Sequence, residues 1–428
     1  MKNVIQAVKG TRDFYPEQMA VRNWLYGIFR EVSESFGYQE YEAPILESLE
    51  LYAAKSGEEL VMEQAYVFED RGGSKIALRP ELTPSLARMI AQKQNQLNFP
   101  VRWWSFGPFW RYERPQKGRT REFFQWNVDL LGIDSPEADA ENVAVLAAFL
   151  EKTGLKADQV TIQVNDRRLM EEQFDKFDIP KGKRTSVYSW VDRRDKMPPD
   201  DWEAYGKEAG LNSKQLANMK SMLEDKLLWK QSQTLKRFFA ASEAIGLNRY
   251  ITFDPETVRG LQYYTGTVFE AWEIGGKIKR SILGGGRYDN LLQDVGGAPL
   301  PATGFAMGDV VITLVLQEYG LIPESIYQSK ADLLVTVFDE NQVGESLRLA
   351  SELRSNGLKV SCYLEAAKID KQIKFADRNG IPWVVFQGPD EIESGSLKVK
   401  SLKTGEQKSI PRAAFIPEMI KLLASDNS

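Results

Sequence analysis

The run Arg111-Tyr-Glu-Arg-Pro-Gln-Lys-Gly-Arg-Thr-Arg121 separates two aromatic-rich segments, residues 102–111 and 122–131. Aromatic residues favour β-strands, so the two segments with their polar connection predict an antiparallel hairpin. The loop carries five cations, namely Arg111, Arg114, Lys117, Arg119 and Arg121. Such a loop can clamp a polyphosphate or the end of a nucleic acid. A solvated loop tip is the commoner fate of a charge run, and the loop alone leaves both interpretations open.

The second predicted strand carries two polar side chains on one face. Gln125 and Asp129 are four residues apart, and side chains at even spacing in a strand point the same way. A polar group on a face otherwise suited to burial needs a partner, and a bound ligand would be one. Upstream, Glu81 and Thr83 occupy alternate positions and could hold an ammonium group. They could equally form a capping pair for the helix that follows.

Two further segments combine polar groups with glycine. The first, Arg259-Gly-Leu-Gln-Tyr-Tyr-Thr-Gly-Thr-Val-Phe-Glu270, places a permanent cation close to two phenol hydroxyls. That combination suits a site for a phosphate beside a small polar ring, although Tyr263 and Tyr264 could also be an aromatic pair within a strand. The second, Ile282-Leu-Gly-Gly-Gly-Arg-Tyr-Asp-Asn290, contains three glycines that let the backbone approach a ligand closely.

Composition restricts the chemistry. The chain has 428 residues, a net charge of −5, one cysteine and no histidine. Catalytic triads, histidine general bases, histidine metal ligands and zinc–thiolate sites are therefore excluded. No apolar run is long enough to cross a bilayer and the start lacks a secretory pattern, so we expect a cytoplasmic protein without a membrane partner. The missing histidines are either a compositional accident, which we favour, or a consequence of the function.

The length predicts two or three domains. The strongly charged, helix-rich segment 166–248 indicates a helical insertion within a first domain, residues 1–325. The β-α-β-α-β pattern that begins near Leu333 predicts a separate α/β domain, residues 326–428. Within the first domain we expect helices over 21–36 and 136–153, a strand over 38–46 interrupted by Pro44, a hairpin over 66–78 and a strand over 280–283.

These segments, in this order, resemble the class II histidyl-tRNA synthetases. The loop and second strand of the hairpin are similar to the family's motif 2. The resemblance implies that Arg111 holds the ATP α-phosphate and Arg121 the γ-phosphate, and that Glu113 and Phe123 contact adenine. It also implies that Gln125 binds the charged end of the amino acid and that Asp129 accepts a hydrogen bond from the imidazole ring. The positions that would meet the tRNA acceptor end, including the extra 5′ guanosine typical of histidine tRNAs, are Arg114, Gln116 and Arg119.

The other segments carry implied roles as well. By resemblance, Glu81 and Thr83 bind the substrate ammonium, Tyr263 and Tyr264 line the imidazole pocket, and Arg259 stabilises charge on the α-phosphate. The run 303–308 is similar to motif 3, but Val311 stands where relatives commonly have an arginine that packs on adenine. Arg287 is the candidate substitute for that arginine. Gln262 replaces a common aspartate.

The resemblance covers nearly the whole chain. It implies an α+β catalytic domain with a mainly antiparallel sheet, a helical insertion, and a C-terminal α/β anticodon-binding domain. It also implies a homodimer that uses ATP with Mg²⁺ to ligate L-histidine to tRNA(His), with no metal ligands identified among the side chains. One alternative is a non-catalytic histidine-binding regulatory paralogue of ATP phosphoribosyltransferase. A prolyl-, threonyl- or glycyl-type relative is a third possibility, which the tyrosine pair disfavours.

Overall fold

The computed structural model describes residues 4–53, 64–258, 263–278 and 280–426. The chain divides into two compact units, Met1–Ile322 and Pro323–Ser428. Among the described residues, no helix is long and apolar enough to cross a membrane.

The first unit contains eleven strands in its described part. They are β1 (Gln39–Glu40), β2 (Leu46–Ser48), β3 (Tyr66–Glu69), β4 (Lys75–Leu78), β5 (Val101–Trp110), β6 (Glu122–Leu131), β7 (Val160–Asp166), β8 (Ile251–Phe253), β9 (Thr267–Glu273), β10 (Leu283–Arg287) and β11 (Ala302–Gly308).

Eleven α-helices accompany them in the same part of the chain. They are α1 (Pro16–Ser35), α2 (Leu49–Ala53), α3 (Thr83–Lys93), α4 (Pro136–Thr153), α5 (Arg167–Lys176), α6 (Arg184–Asp192), α7 (Pro199–Glu208), α8 (Ser213–Glu224), α9 (Gln233–Ala244), α10 (Leu291–Asp294) and α11 (Asp309–Glu318).

An eight-stranded sheet organises this unit, with strand order β1-β5-β6-β11-β10-β9-β7-β8. Only the two outer pairs are parallel, and the six central strands are antiparallel. The predicted α+β class with a mainly antiparallel sheet is thereby confirmed. A smaller sheet, β2-β4-β3, contains the predicted hairpin.

Helix α1 packs on the large sheet through an aromatic cluster. Its buried positions recur at helical spacing, and Phe29 stacks on Trp126 of β6 with ring centroids 4.7 Å apart. Phe305 of β11 meets the same indole edge-on at 5.0 Å. The helix begins five residues before the predicted start because Pro16 occupies the first turn, where its missing N–H costs no hydrogen bond.

Two strand predictions were wrong in extent. The expected strand over 38–46 forms only the short strands β1 and β2, and Pro44, which has no N–H to donate, lies between them. The expected strand over 280–283 begins instead at Leu283 and continues through the three glycines to Arg287.

The helical insertion lies between β7 and β8 and contains α5 to α9, as the charged, helix-rich sequence predicted. Its core holds two stacked indoles. Trp190 and Trp202 lie 4.3 Å apart, and each ring N–H donates to the backbone carbonyl of the other residue at 2.8 Å. Both indole N–H groups are thus satisfied although the rings are buried.

The second unit has its own mixed sheet and core, which confirms the predicted α/β class. Its strands are β12 (Leu333–Val335), β13 (Val360–Cys362), β14 (Trp383–Phe386), β15 (Ser396–Ser401) and β16 (Gln407–Pro411). Its helices are α12 (Val343–Ser355), α13 (Ile369–Arg378), α14 (Pro389–Glu393) and α15 (Phe415–Asp426). The order is β13-β12-β14-β15-β16, parallel over the first three strands and antiparallel over the last three.

Candidate active site

The centre of the large sheet brings the hairpin β5–β6 beside the glycine-rich strands. Asp129 of β6 lies opposite Gly304 of β11, and Gly284 of β10 lies opposite Ala306 of β11. A Cβ atom on Gly304 would overlap the Asp129 carboxylate. A glycine is required at this point because the carboxylate occupies the space of the missing side chain.

A cavity of about 180 Å³ opens above these strands. Seven predicted site residues, drawn from four separate segments, line it together: Glu81, Thr83, Arg111, Gln125, Asp129, Tyr263 and Tyr264. The cavity has the size of a small polar molecule, and its walls carry two carboxylates, those of Glu81 and Asp129, together with the tyrosine pair.

Asp129 is a carboxylate of this cavity with a strongly raised pKa. It is buried, and its Oδ1 accepts a short hydrogen bond from the hydroxyl of Tyr288. Burial raises the pKa of Asp129 to about 7, and the Tyr288 hydroxyl opposes that rise. Near neutral pH the Asp129 carboxyl is therefore close to its midpoint of ionisation. In its ionised form it can accept a hydrogen bond from a ring N–H.

Glu81 and Thr83 face the same cavity. The Tyr263 hydroxyl donates to Glu81 Oε2 at 3.3 Å. Helix α3 begins at Thr83, its N-cap residue is Leu82, and no side chain caps it. Because Leu82 and not Thr83 is the N-cap residue, a capping pair built on Thr83 does not form, and the Glu81 and Thr83 side chains both line the cavity.

Tyr263 and Tyr264 lie before β9 rather than within it, so the alternative of a strand aromatic pair is also wrong. Their ring centroids are 4.9 Å apart, and the ring of Tyr263 meets that of Tyr288 edge-on at 6.0 Å. Three tyrosines thus surround one side of the small cavity. Arg259 and Gln262, in the same segment, lie outside the described residues.

A second cavity of about 830 Å³ adjoins the first. Glu113, Arg119 and Phe123 of the predicted site line it, and Arg111 and Gln125 line both cavities. Arg111 Nε donates to the Pro80 carbonyl at 2.9 Å, which fixes the guanidinium at the border. A group bound in the small cavity can therefore meet, at Arg111, a group bound in the larger one.

The basic loop forms part of the larger cavity and is not only a solvated tip. Its end is a tight turn in which Gln116 and Arg119 exchange backbone hydrogen bonds of 3.0 and 2.8 Å. Gly118 in this turn has a φ of +78°, which favours glycine. Arg119 is paired with Glu113, whereas Arg114 and Gln116 are exposed.

Arg121 does not line the larger cavity, because other contacts hold its side chain elsewhere. Its Nε donates to the Glu113 carbonyl at 3.1 Å, and its guanidinium lies 4.0 Å from the centre of the Tyr112 ring. A Cβ atom on Gly10 would lie 2.7 Å from Arg121 Cγ, so the N-terminal segment packs against this side chain.

Arg287 does not reach the larger cavity, and its prediction as a substitute for the motif 3 arginine was wrong. Its side chain is buried, with Nη2 bonded to Asp139 Oδ1 at 2.8 Å and Nε to Asp139 Oδ2 at 3.2 Å. Burial raises the pKa of Asp139, and the Arg287 charge opposes that rise. The pair therefore supports the fold beneath the site.

The Arg287–Asp139 pair can be tested against a surface pair whose carboxylate lies on the same helix, α4. We expect Arg287→Met to lower the free energy of unfolding by about 3 kcal/mol, because it leaves a buried carboxylate unpaired. Arg237 makes a similar bidentate ion pair with Glu137, but both side chains are exposed. Arg237→Met should therefore lower the free energy of unfolding by less than about 1 kcal/mol. Urea unfolding of the two variants measures the difference, and equal losses would contradict the assignment.

One site residue, Tyr288, had no role assigned from the sequence. It follows the glycine run directly, yet only the pairing of β6, β11 and β10 brings its hydroxyl to Asp129. Among the described residues no group of three or more acidic, cysteine or histidine side chains could hold a metal ion.

Comparisons with known proteins agree with this architecture. The histidyl-tRNA synthetase family model matches residues 10–309, and an anticodon binding domain model matches residues 331–422. The chain is 39% identical over 409 residues to the chloroplastic/mitochondrial histidine–tRNA ligase of Arabidopsis thaliana, a match that covers 93% of this chain and 83% of the relative. It is 38% identical over 431 residues to the histidine–tRNA ligase of Haloarcula marismortui, covering 96% of each.

Solved structures are similar across the chain as well. The crystal structure of histidyl-tRNA synthetase from Nostoc sp. PCC 7120 matches with a TM-score of 0.81 at 25% identity, over 98% of this chain and 100% of that one. A Bacillus halodurans protein described as an ATP phosphoribosyltransferase regulatory subunit/histidyl-tRNA synthetase matches with a TM-score of 0.72 at 21% identity. The match covers 88% of this chain and 97% of that one. The second likeness concerns the fold alone.

Proposed function

The chain belongs to the histidyl-tRNA synthetase family, and we propose that its two adjoining cavities carry out the first step of histidine–tRNA ligation. The overall reaction is the ATP-dependent attachment of histidine to tRNA. In the proposed step, a histidine carboxylate oxygen bonds to the ATP α-phosphorus, and the bond from that phosphorus to the pyrophosphate oxygen breaks. The products are histidyl-adenylate and pyrophosphate.

The shared border of the cavities carries this proposal. Since Arg111 and Gln125 line both spaces, an amino acid in the small cavity and a nucleotide in the larger one would meet beside a fixed guanidinium. A positive group held there stabilises the charge that develops on the α-phosphate oxygens. Gln125 would hold the charged end of histidine, and Arg259 would act on the same phosphate.

We assign histidine to the small cavity. Its ammonium group would bind Glu81 and Thr83, and its ring N–H would donate to Asp129. Tyr263 and Tyr264 would enclose the ring. The small volume and the two carboxylates of the wall match a substrate with an ammonium group at one end and an N–H donor at the other.

We assign ATP to the larger cavity, with Phe123 stacked on adenine and Glu113 close to its amino group. Glu113 is paired with Arg119, so this pair would have to open. Arg121 would likewise have to leave its backbone contacts to reach the γ-phosphate. Mg²⁺ would be bound chiefly by phosphate oxygens, with one or two carboxylates at most, because the described side chains form no group of three or more potential metal ligands.

The tRNA would contact two regions of the chain. Arg114, Gln116 and Arg119 on the basic loop would meet the acceptor end, and the second unit would bind the anticodon, as its family match suggests. We propose that the protein acts in the cytoplasm. We also propose a homodimer, since four large apolar side chains are exposed on the small sheet and the segment leading into it: Ile45, Leu46, Val67 and Phe68.

ATP–pyrophosphate exchange with each amino acid in turn tests the proposed function. Histidine alone should support exchange. The less supported alternative is a regulatory paralogue that binds histidine without activating it, and Val311 and Gln262 are the residues in its favour. A protein that binds histidine by calorimetry but shows no exchange would decide for that alternative.

A substitution at Gln116 should affect transfer of histidine to tRNA but not formation of the adenylate. Its side chain is exposed on the loop tip and does not line either cavity. Gln116→Ala should leave pyrophosphate exchange unchanged and slow aminoacylation about tenfold, the value of one lost hydrogen bond. It should also blunt discrimination against tRNA without the extra 5′ guanosine. Gln125→Ala is the matched control and should impair exchange itself; equal losses in both half-reactions for Gln116→Ala would place that residue in the ATP site.

A further inference from the structure

One cation of the larger cavity has no role in the reaction as described so far. Arg280 lies on the connection between β9 and β10 and lines that cavity. We propose that Arg280 stacks on the adenine ring of ATP, on the face opposite Phe123. This role rests on the proposed function, since it takes ATP as the occupant of the cavity.

Three elements meet at Arg280. Its Nε donates to the carbonyl of Lys117 in the basic loop at 3.2 Å. A Cβ atom on Gly118 would lie 2.9 Å from Arg280 Cδ and 3.9 Å from Val311 Cγ2. The arginine stem therefore lies against the loop tip, next to Val311, and it is held there by the backbone.

The other cations of the cavity wall are already engaged. In the described part of the chain, Arg119 pairs with Glu113, Arg194 with Glu256 and Lys196 with Asp192, and Arg111 is fixed at the border. Arg280 makes only its backbone contact, and its two terminal nitrogens have no partner among the described residues. Like Arg111, which the reaction already uses, Arg280 can therefore engage a ligand without breaking an ion pair in the described part of the chain.

A guanidinium suits the face of an aromatic base, because it is flat, delocalised and weakly hydrated. Phe123 is on β6 and Arg280 precedes β10, with β11 between these strands. Two strand spacings amount to about 10 Å. A flat ring needs about 7 Å between the groups that contact its two faces, so this strand spacing leaves room for adenine between the two residues.

Two inhibitors of pyrophosphate exchange test this contact. Adenosine carries the base without phosphates, and inorganic tripolyphosphate carries phosphates without the base. Arg280→Ala should raise the inhibition constant of adenosine and the KM for ATP about tenfold each, as expected for a cation–π contact shielded from water. The inhibition constant of tripolyphosphate and the KM for histidine should not change.

Arg280→Lys separates stacking from charge. Lysine keeps the charge but lacks the flat guanidinium. The inhibition constant of adenosine should therefore rise in Arg280→Lys about as much as in Arg280→Ala. Lys277→Ala is the control, since Lys277 is an exposed residue of the same connection that pairs with Glu318, and it should leave every constant unchanged. If exchange proceeds normally and Arg280→Ala leaves adenosine inhibition unaltered, or weakens tripolyphosphate instead, the stacking role is wrong while the proposed function stands. Absence of histidine-dependent exchange in the parent would reject the proposed function itself.

Discussion

Replacement of Arg111 by alanine should slow histidine-dependent ATP–pyrophosphate exchange about a thousandfold, which is the usual cost of losing a fixed group aimed at developing charge. Arg111 lines both cavities and is held by the Pro80 carbonyl at 2.9 Å. Its charge is therefore in place before the substrates arrive, and no reorganisation is needed when negative charge builds on the α-phosphate. Histidine affinity, measured by calorimetry without ATP, should change far less than the exchange rate.

The loop supplies a matched control for charge. Arg114→Ala removes the same charge from an exposed position in the same loop, and it should leave exchange close to that of the parent. Arg111→Lys should recover only part of the rate, since the ammonium cannot keep both the Pro80 contact and a second directed hydrogen bond in the fork geometry of arginine. Near-normal exchange by Arg111→Ala would remove Arg111 from the chemical step and leave Arg259 as the candidate for it.

Local signals predicted the elements whose ends are set by their own residues. Helix α4 spans the expected residues because Ser135 accepts the N–H of Ala138 at one end and Gly154 adopts a φ of +84° at the other. The β5–β6 hairpin was equally clear, since its two strands are neighbours in the sequence.

Elements that depend on distant pairing were not predicted. Strand β11 contains Gly304 and ends at Gly308, so its own sequence has little strand character, yet it pairs with β6 and β10 on its two sides. The position of Tyr288 against Asp129 follows from that pairing. Arg280 likewise gains its place from a contact with the basic loop, 163 residues earlier in the chain, which no periodic pattern could reveal.

The face shared by Gln125 and Asp129 was predictable, because alternation along one strand is a local property. The properties of Asp129 were not. They arise from burial beside Gly304 and from the Tyr288 hydroxyl, both supplied by other strands. A charged residue in a strand is thus a local signal of a ligand, whereas its pKa depends on the assembled sheet.

Asp129 should decide amino-acid identity. A buried acceptor left unpaired by a ligand without a ring N–H discriminates by about 10⁴-fold, far more than shape does. The parent should therefore prefer histidine over a thienyl analogue of similar shape by that order, measured as kcat/KM in exchange. Asp129→Ala should remove most of this preference and leave the KM for ATP nearly unchanged. Retention of the preference would show that another group recognises the ring.

The raised pKa of Asp129 predicts that the affinity for the ligand of the small cavity falls as the pH is lowered. Because burial raises the pKa of Asp129 to about 7, the carboxylate is protonated below that pH and loses acceptor strength. Affinity for the ligand should thus fall about tenfold from pH 8 to pH 6. A triazole analogue of histidine, whose ring stays neutral over this range, removes the contribution of substrate protonation.

Two variants test whether Asp129 is the titrating group. Asp129→Asn should abolish the pH dependence of the affinity. Tyr288→Phe should move its midpoint to higher pH, since the tyrosine hydroxyl lowers the pKa of Asp129. A midpoint that stays fixed in Tyr288→Phe would mean that Asp129 is not the titrating group.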